Sequence, residues 1–149
     1  MLSKACEYGI RAVIFVAFKN FEEIKPGLEL IATDLNLPKP YTGKILQQLT
    51  KKKLLESKKG PGGGFFLNEK QMQARIYDII LSIDGEDTFE SCFFGMDKCT
   101  DSEPCPVHDV YTRVKADLIR GLREHTIEEL AYKIVKGEVF LRNLLPETK

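Results

Sequence analysis

Apolar side chains recur at helical spacing along much of this chain, and the interruptions between those runs mark the remaining elements. In residues 3–18, Ile10, Val13, Val16 and Ala17 share one face, with Ser3 placed as an N-cap. Asn20 and the Lys25-Pro26-Gly27 turn are expected to end this helix. A second helix is predicted over residues 28–36, burying Leu30, Ile31 and Leu35. After a Leu37-Pro38-Lys39 turn, a third begins with Pro40 at its first position, where the missing N–H costs nothing. Ile45, Leu46 and Leu49 would pack it inward, leaving Thr42, Gly43, Lys44, Gln47 and Gln48 towards solvent.

Residues 54–58 and 65–67 then read as the strands of a hairpin. Gly60-Pro61-Gly62-Gly63-Gly64 lies between them, a run that tolerates positive φ or presets a turn. Ile76, Ile79, Ile80 and Ile83 predict one helix over residues 69–83, stopped by Asp84-Gly85. Residues 85–105 have no periodicity and read as a loop, long enough that function or disorder is the usual explanation. From Pro106, the positions Val107, Val110, Tyr111, Val114, Leu118 and Leu122 make the apolar stripe of a long helix. Thr126 and Glu129 form the capping box of a last helix ending near Gly137. Residues 138–149 are expected to be a less ordered tail, with Val139-Phe140-Leu141 able to dock.

Helix, turn, helix and glycine-tipped hairpin, in that order, describe a winged helix-turn-helix, a module that grips double-stranded DNA. The expected fold class is mainly α with a small β-hairpin wing and a long C-terminal helix. The 43% hydrophobic content supports one packed domain, or one small domain with an appendage. No apolar run reaches the roughly 18 residues of a membrane span. Glu7 and Arg11 interrupt the apolar N-terminal stretch and no small-residue cleavage site follows, so a cytoplasmic location is expected.

Net charge is zero over the whole chain, yet charge is strongly polarised. Residues 39–59 carry Lys39, Lys44, Lys51, Lys52, Lys53, Lys58 and Lys59 against Glu56, a local net charge of +6. Residues 84–103 carry seven acids against Lys98, a local net charge of −6. A recognition helix brings its N-terminal residues to the base edges. Tyr41, Thr42, Gly43 and Lys44 occupy that position here, with Lys44 able to donate to guanine and Thr42 able to meet a base or phosphate. Lys51–Lys53, at the far end, suit phosphates, Lys39 joins the DNA-binding set, and Lys58, Lys59, Gly62 and Gly63 form a narrow cationic tip for a minor groove. The glycine loop lacks the Gly-Lys-Ser/Thr ending of a P-loop. No nucleophile–base arrangement stands out, so catalysis is not expected.

Cys92, Cys99 and Cys105 lie within fourteen residues of the aperiodic segment. Thiolates are the usual ligands of iron–sulfur clusters, and a loop lets three of them converge. The first spacing is too wide for the paired-cysteine knuckle of common zinc sites, although zinc stays open. Cys6, on the first helix, reads as a small apolar core residue.

LSKACEYGIRA near the start, PYTGKILQQL in the third helix and above all KKGPGGGFFL in the wing resemble the Rrf-two family of bacterial regulators. Its members include the IscR, NsrR and CymR types. The resemblance covers residues 1 to about 137, including Asp84-Gly85 and the CPVHDVY segment. It implies a homodimeric winged-helix repressor or activator, with the long C-terminal helix as dimer interface. The implied organisation is a DNA-binding domain over residues 1–83, a sensor loop over 84–105, dimerisation helices over 106–137 and a tail over 138–149.

The cysteine trio resembles the cluster loop of the IscR and NsrR types, which implies a [2Fe–2S] or [4Fe–4S] cluster and a repressor under cluster or redox control. His108 matches a histidine ligand of the IscR type. Glu7 matches a carboxylate position in other members and is the alternative fourth ligand. Where the IscR type reads bases with an acidic residue and a glutamine, this chain has Gly43 and Lys44, so that operator preference does not carry over. The alternatives are a zinc- or thiol-controlled regulator of the same family, or a small metal or redox protein that binds no DNA.

Overall fold

The computed structural model describes residues 2–141. The helix α1 (Lys4–Phe21) forms the centre of the core, with Cys6, Ala12, Val13, Phe15, Val16 and Ala17 fully buried. Ser3 caps it as expected, its Oγ accepting the Cys6 N–H at 3.0 Å. The helix runs three residues past its expected end because Asn20 has a different task. Its amide Nδ2 donates to the Leu67 carbonyl at 2.6 Å, and its Oδ1 accepts the Leu67 N–H at 3.3 Å. A residue that breaks helices by bonding to its own backbone here bonds to a distant one.

The helix-turn-helix consists of α2 (Leu28–Leu35) and α3 (Lys39–Lys51). Asn36 takes the left-handed conformation at φ 52°, and the Leu37 N–H closes onto the Ala32 carbonyl at 2.8 Å. Arg11 of α1 donates to the Leu35 carbonyl at 2.7 Å, placing a cation at the C-terminal end of α2. Leu30, expected inside, is exposed. Leu28, Ile31 and Leu35 already complete the inner face of so short a helix. Pro38 is the N-cap of α3, which puts Pro40 at its second position rather than its first.

The wing pairs β1 (Glu56–Lys58) with β2 (Gly64–Phe66), antiparallel, Glu56 opposite Phe66 and Lys58 opposite Gly64. A Cβ on Gly64, whose φ is +147°, would overlap the Lys25 carbonyl. Glycine there lets the wing lie against the α1–α2 connection, where the Phe65 N–H donates to the Pro26 carbonyl at 2.8 Å.

The helix expected over residues 69–83 is two, α4 (Glu69–Met72) and α5 (Ile76–Asp84). Arg75 is extended and bridges Thr126, while the Ile127 N–H donates to the Ala74 carbonyl at 2.9 Å. This long-range pairing satisfies backbone groups that continuing the helix would have used. The expected loop contains one helical turn, α6 (Asp87–Glu90), which buries Phe89 and stacks it on Tyr77 with centroids 5.3 Å apart.

Beyond it run α7 (His108–Glu124) and α8 (Ile127–Val135), the latter opened by the Thr126–Glu129 capping box and followed by Gly137 at φ 72°. Helices α3, α5 and α8 all pack on α1. No α7 residue is buried among the described residues; Val110, Val114 and Leu118 are 56%, 57% and 36% exposed. Arg123 anchors this helix by lying over the Tyr77 ring, 4.1 Å from its centroid. Of the tail, Leu141 packs on the core and Phe140 is exposed, while residues 142–149 lie outside the described residues. Among the described residues no helix is long and apolar enough to cross a membrane.

Candidate nucleic-acid interface and thiol centre

On α3, burial sorts the side chains that the sequence left facing outward. Lys39, Tyr41, Lys44, Gln47 and Lys51 are exposed. Lys39 pairs with Glu29, and the Tyr41 ring meets Tyr8 edge-on with centroids 5.7 Å apart. Thr42, expected to meet DNA, is fully buried, and its Oγ1 has no partner among the described residues. It falls on the inner stripe with Ile45, Leu46 and Leu49, so the solvent-facing assignment is corrected. Gln48 is also withdrawn from the outer face: its Nε2 donates to the Ser82 carbonyl at 3.2 Å, and Lys52 Nζ donates to the same oxygen. These two bonds tie α3 to the end of α5.

Between α3 and the wing lies an open groove of about 450 Å³, lined by Gln47, Lys51, Lys58, Lys59 and Phe65 among others. At the wing tip, Gly62 has φ +73°, and a Cβ on Gly63 would overlap the Lys58 carbonyl. These glycines therefore serve the turn, while Lys58 and Lys59 supply its charge. Gln71 fastens the base of the wing, donating to the Lys53 carbonyl at 3.0 Å and to Glu56 Oε1 at 2.9 Å.

The three cysteines meet. The sulfurs of Cys92, Cys99 and Cys105 all lie within 4.8 Å of one another, with Cys92 and Cys105 3.7 Å apart. None of the three is joined in a disulfide. The Met96 backbone N–H lowers the Cys92 thiol to about 7 against the opposing effect of burial, with smaller help from Phe94 and the neighbouring thiols. Thiolate character is therefore accessible near neutral pH.

Cys105 and His108 share the turn that opens α7, the His108 N–H donating to the Cys105 carbonyl at 3.0 Å. His108 Nδ1 is 3.1 Å from Cys99 Sγ, and its Nε2 is 2.9 Å from Asp101 Oδ1. Asp101 first, then Cys99, raise its pKa. Glu7, the other proposed ligand, stands outside this group within the chain and pairs with Lys4 at 2.8 Å. Three convergent sulfurs with an imidazole at their edge are a donor set that fits a soft metal centre.

The family model for Rrf2, described as an iron-dependent transcriptional regulator, matches residues 2–133. The chain belongs to the Rrf2 family. Among its relatives is the transcriptional regulator NsrR of Oceanobacillus iheyensis, 25% identical over 130 residues that cover 87% of this chain and 88% of that protein. The fold matches the structure of CymR, the global cysteine regulator of B. subtilis, with a TM-score of 0.71 at 23% identity, covering 89% of this chain and 96% of that one. It also matches T. potens IscR with a TM-score of 0.70 at 21% identity, covering 94% and 92%. The winged-helix architecture and the regulator class are those of the Rrf2 family.

Two parts of the site had no local sequence signal. The Ser82 carbonyl that Gln48 and Lys52 share, and the Arg123–Tyr77–Phe89 stack, join residues 30 or more positions apart in one case and three separate elements in the other.

Proposed function

We propose that this Rrf2 protein binds double-stranded operator DNA as a homodimer through α3 and the wing, and that Cys92, Cys99 and Cys105 hold an iron–sulfur cluster whose state controls that binding. His108 is the proposed fourth ligand, with Glu7 as its rival. The observation that carries the reading is the convergence of three sulfurs in a segment that leads directly into α7. When bound, such a cluster supplies an oxidisable group open to small oxidants and nitric oxide. The chain itself supplies a Cys92 thiol that loses its proton near neutral pH, and a His108 ring oriented by Asp101. The exposed apolar stripe of α7, with Val110, Val114 and Leu118, is the face proposed for a second copy. Lys44, Lys51, Lys58 and Lys59 provide salt-dependent attraction to phosphates.

The test is anaerobic purification followed by visible absorption and iron, sulfide and zinc analysis, with operator binding measured in parallel. Matched iron and sulfide in the native protein is expected, lost in Cys92→Ala, Cys99→Ala and Cys105→Ala, together with a changed operator affinity. The band shape distinguishes [2Fe–2S] from [4Fe–4S], and His108→Ala against Glu7→Gln distinguishes the fourth ligand. Identical DNA binding with and without the cluster defeats the control mechanism. The 3.7 Å approach of Cys92 to Cys105 favours a second reading, control by thiol oxidation. That reading gains if the protein stays colourless after anaerobic reconstitution while oxidation alters its DNA affinity.

A further inference from the structure

The structure narrows the base-reading surface to fewer side chains than the recognition helix carries. Thr42 is buried, Gln48 is spent on the Ser82 carbonyl and Lys39 is paired with Glu29. Tyr41 is packed edge-on against Tyr8. Beyond Lys39 and Tyr41 of its first turn, which stay exposed despite these contacts, α3 presents Lys44, Gln47 and Lys51, exposed and spaced i, i+3, i+7, which places them in one row along the helix. Gln47 is the exposed amide of this row and also lines the groove that Lys51, Lys58 and Lys59 make cationic.

We propose that Gln47 is a specificity-determining residue that reads an adenine in each half-site, beside the base pair met by Lys44. The inference rests on the DNA-binding reading and deepens it. A glutamine amide donates to adenine N7 and accepts from its N6 amino group at once, a pairing that no other base offers in the major groove. Lys44 and Gln47 are separated by about 4.5 Å of helix rise, against about 3.4 Å per base pair, so their bases are adjacent or next but one. The groove beside Gln47 takes the phosphates of the approaching strand. Lys51, Lys58 and Lys59 contact those phosphates and carry no sequence information.

The experiment selects binding sites from a randomised duplex library, using full-length wild type, Gln47→Ala and Lys51→Ala at fixed salt. Circular dichroism checks that each variant is folded. Wild-type sites are expected to hold one adenine per half-site that Gln47→Ala no longer requires, with discrimination at that position falling about 5- to 100-fold. Lys51→Ala should weaken all sequences alike and lower the salt slope by about one. Unchanged preference in Gln47→Ala overturns the proposal, as does a uniform loss across sequences, which would make Gln47 a phosphate contact. If wild type retains no duplex from the library at low salt, the DNA-binding reading fails and takes this proposal with it.

Discussion

Replacing Thr42 with valine should stabilise this protein and leave its grip on DNA intact. The side chain is fully buried on the inner face of α3, and its hydroxyl has no partner among the described residues. Valine keeps the volume and the β-branched shape while exchanging that hydroxyl for a methyl group. An unbonded buried hydroxyl costs about 1–3 kcal/mol in protein mutational data, and part of that is recovered when it is removed. A gain of about 1–2 kcal/mol is therefore expected. For a chain of this size it corresponds to a rise of roughly 2–8 °C in Tm.

The measurement is denaturant unfolding of wild type and Thr42→Val as metal-free, reduced protein, at one protein concentration so that oligomerisation does not shift the comparison. Operator affinity is measured on the same samples. A loss of stability would show that the hydroxyl has a partner. Loss of DNA binding by a folded variant would show that Thr42 faces the groove, and would overturn the inward orientation of that whole stripe of α3.

Three further outcomes follow from the geometry. Gly64→Ala would drive a Cβ into the Lys25 carbonyl and unseat the wing, so operator affinity should fall about tenfold or more, equivalent to about 1.4 kcal/mol; unchanged affinity would remove the wing from the interface. In the metal-free protein, Cys92 ionises near pH 7 rather than at the ordinary value of 9.0, so its alkylation by iodoacetamide should rise with pH and reach half its maximum near 7. Cys6, pushed up to about 12 by burial, should stay unmodified in the native fold, with mass spectrometry identifying the labelled sites. If α7 forms the proposed homodimer interface, Val114→Glu with Leu118→Glu should give a monomer in sedimentation experiments where the wild type gives a dimer, while preserving helicity, because neither side chain packs in the core; a dimer unaltered by both changes would place the interface elsewhere, and a monomeric wild type would remove the homodimer.

Much of this fold was legible in the chain because its elements announce themselves locally. Ser3 and Thr126 mark helix starts through bonds to their own first turns, and the glycine run needs no distant residue to make a turn. The split at Arg75 was not legible, because its cause is a bridge to Thr126, fifty-one positions away. Leu30 and Thr42 misled for related reasons. On a two-turn helix a face can be complete without every leucine, and a β-branched threonine fits an apolar stripe as readily as a solvent-facing one. The cysteine trio was visible as spacing, but spacing alone could not show that the sulfurs converge. It also could not show that His108 approaches through Cys99 with Asp101 behind it. Of the residues proposed to face DNA, the lysines were legible as charge. That Gln48 turns to the Ser82 carbonyl while Gln47 stays exposed required the packing of α3 on α5.

The fastenings of the wing have a consequence for how a reader of this kind can be switched. Asn20 clamps the wing's outgoing strand, Pro26 its middle and Gln71 its base, while Gln48 and Lys52 bind α3 to α5. On the proposed DNA-binding reading, α3 and the wing are thus jaws of a calliper, each held to the rest of the chain by these bonds. Such a tool is not adjusted by bending a jaw. Where two copies stand on one duplex, what remains free to vary is the phase between them, counted in turns of the double helix.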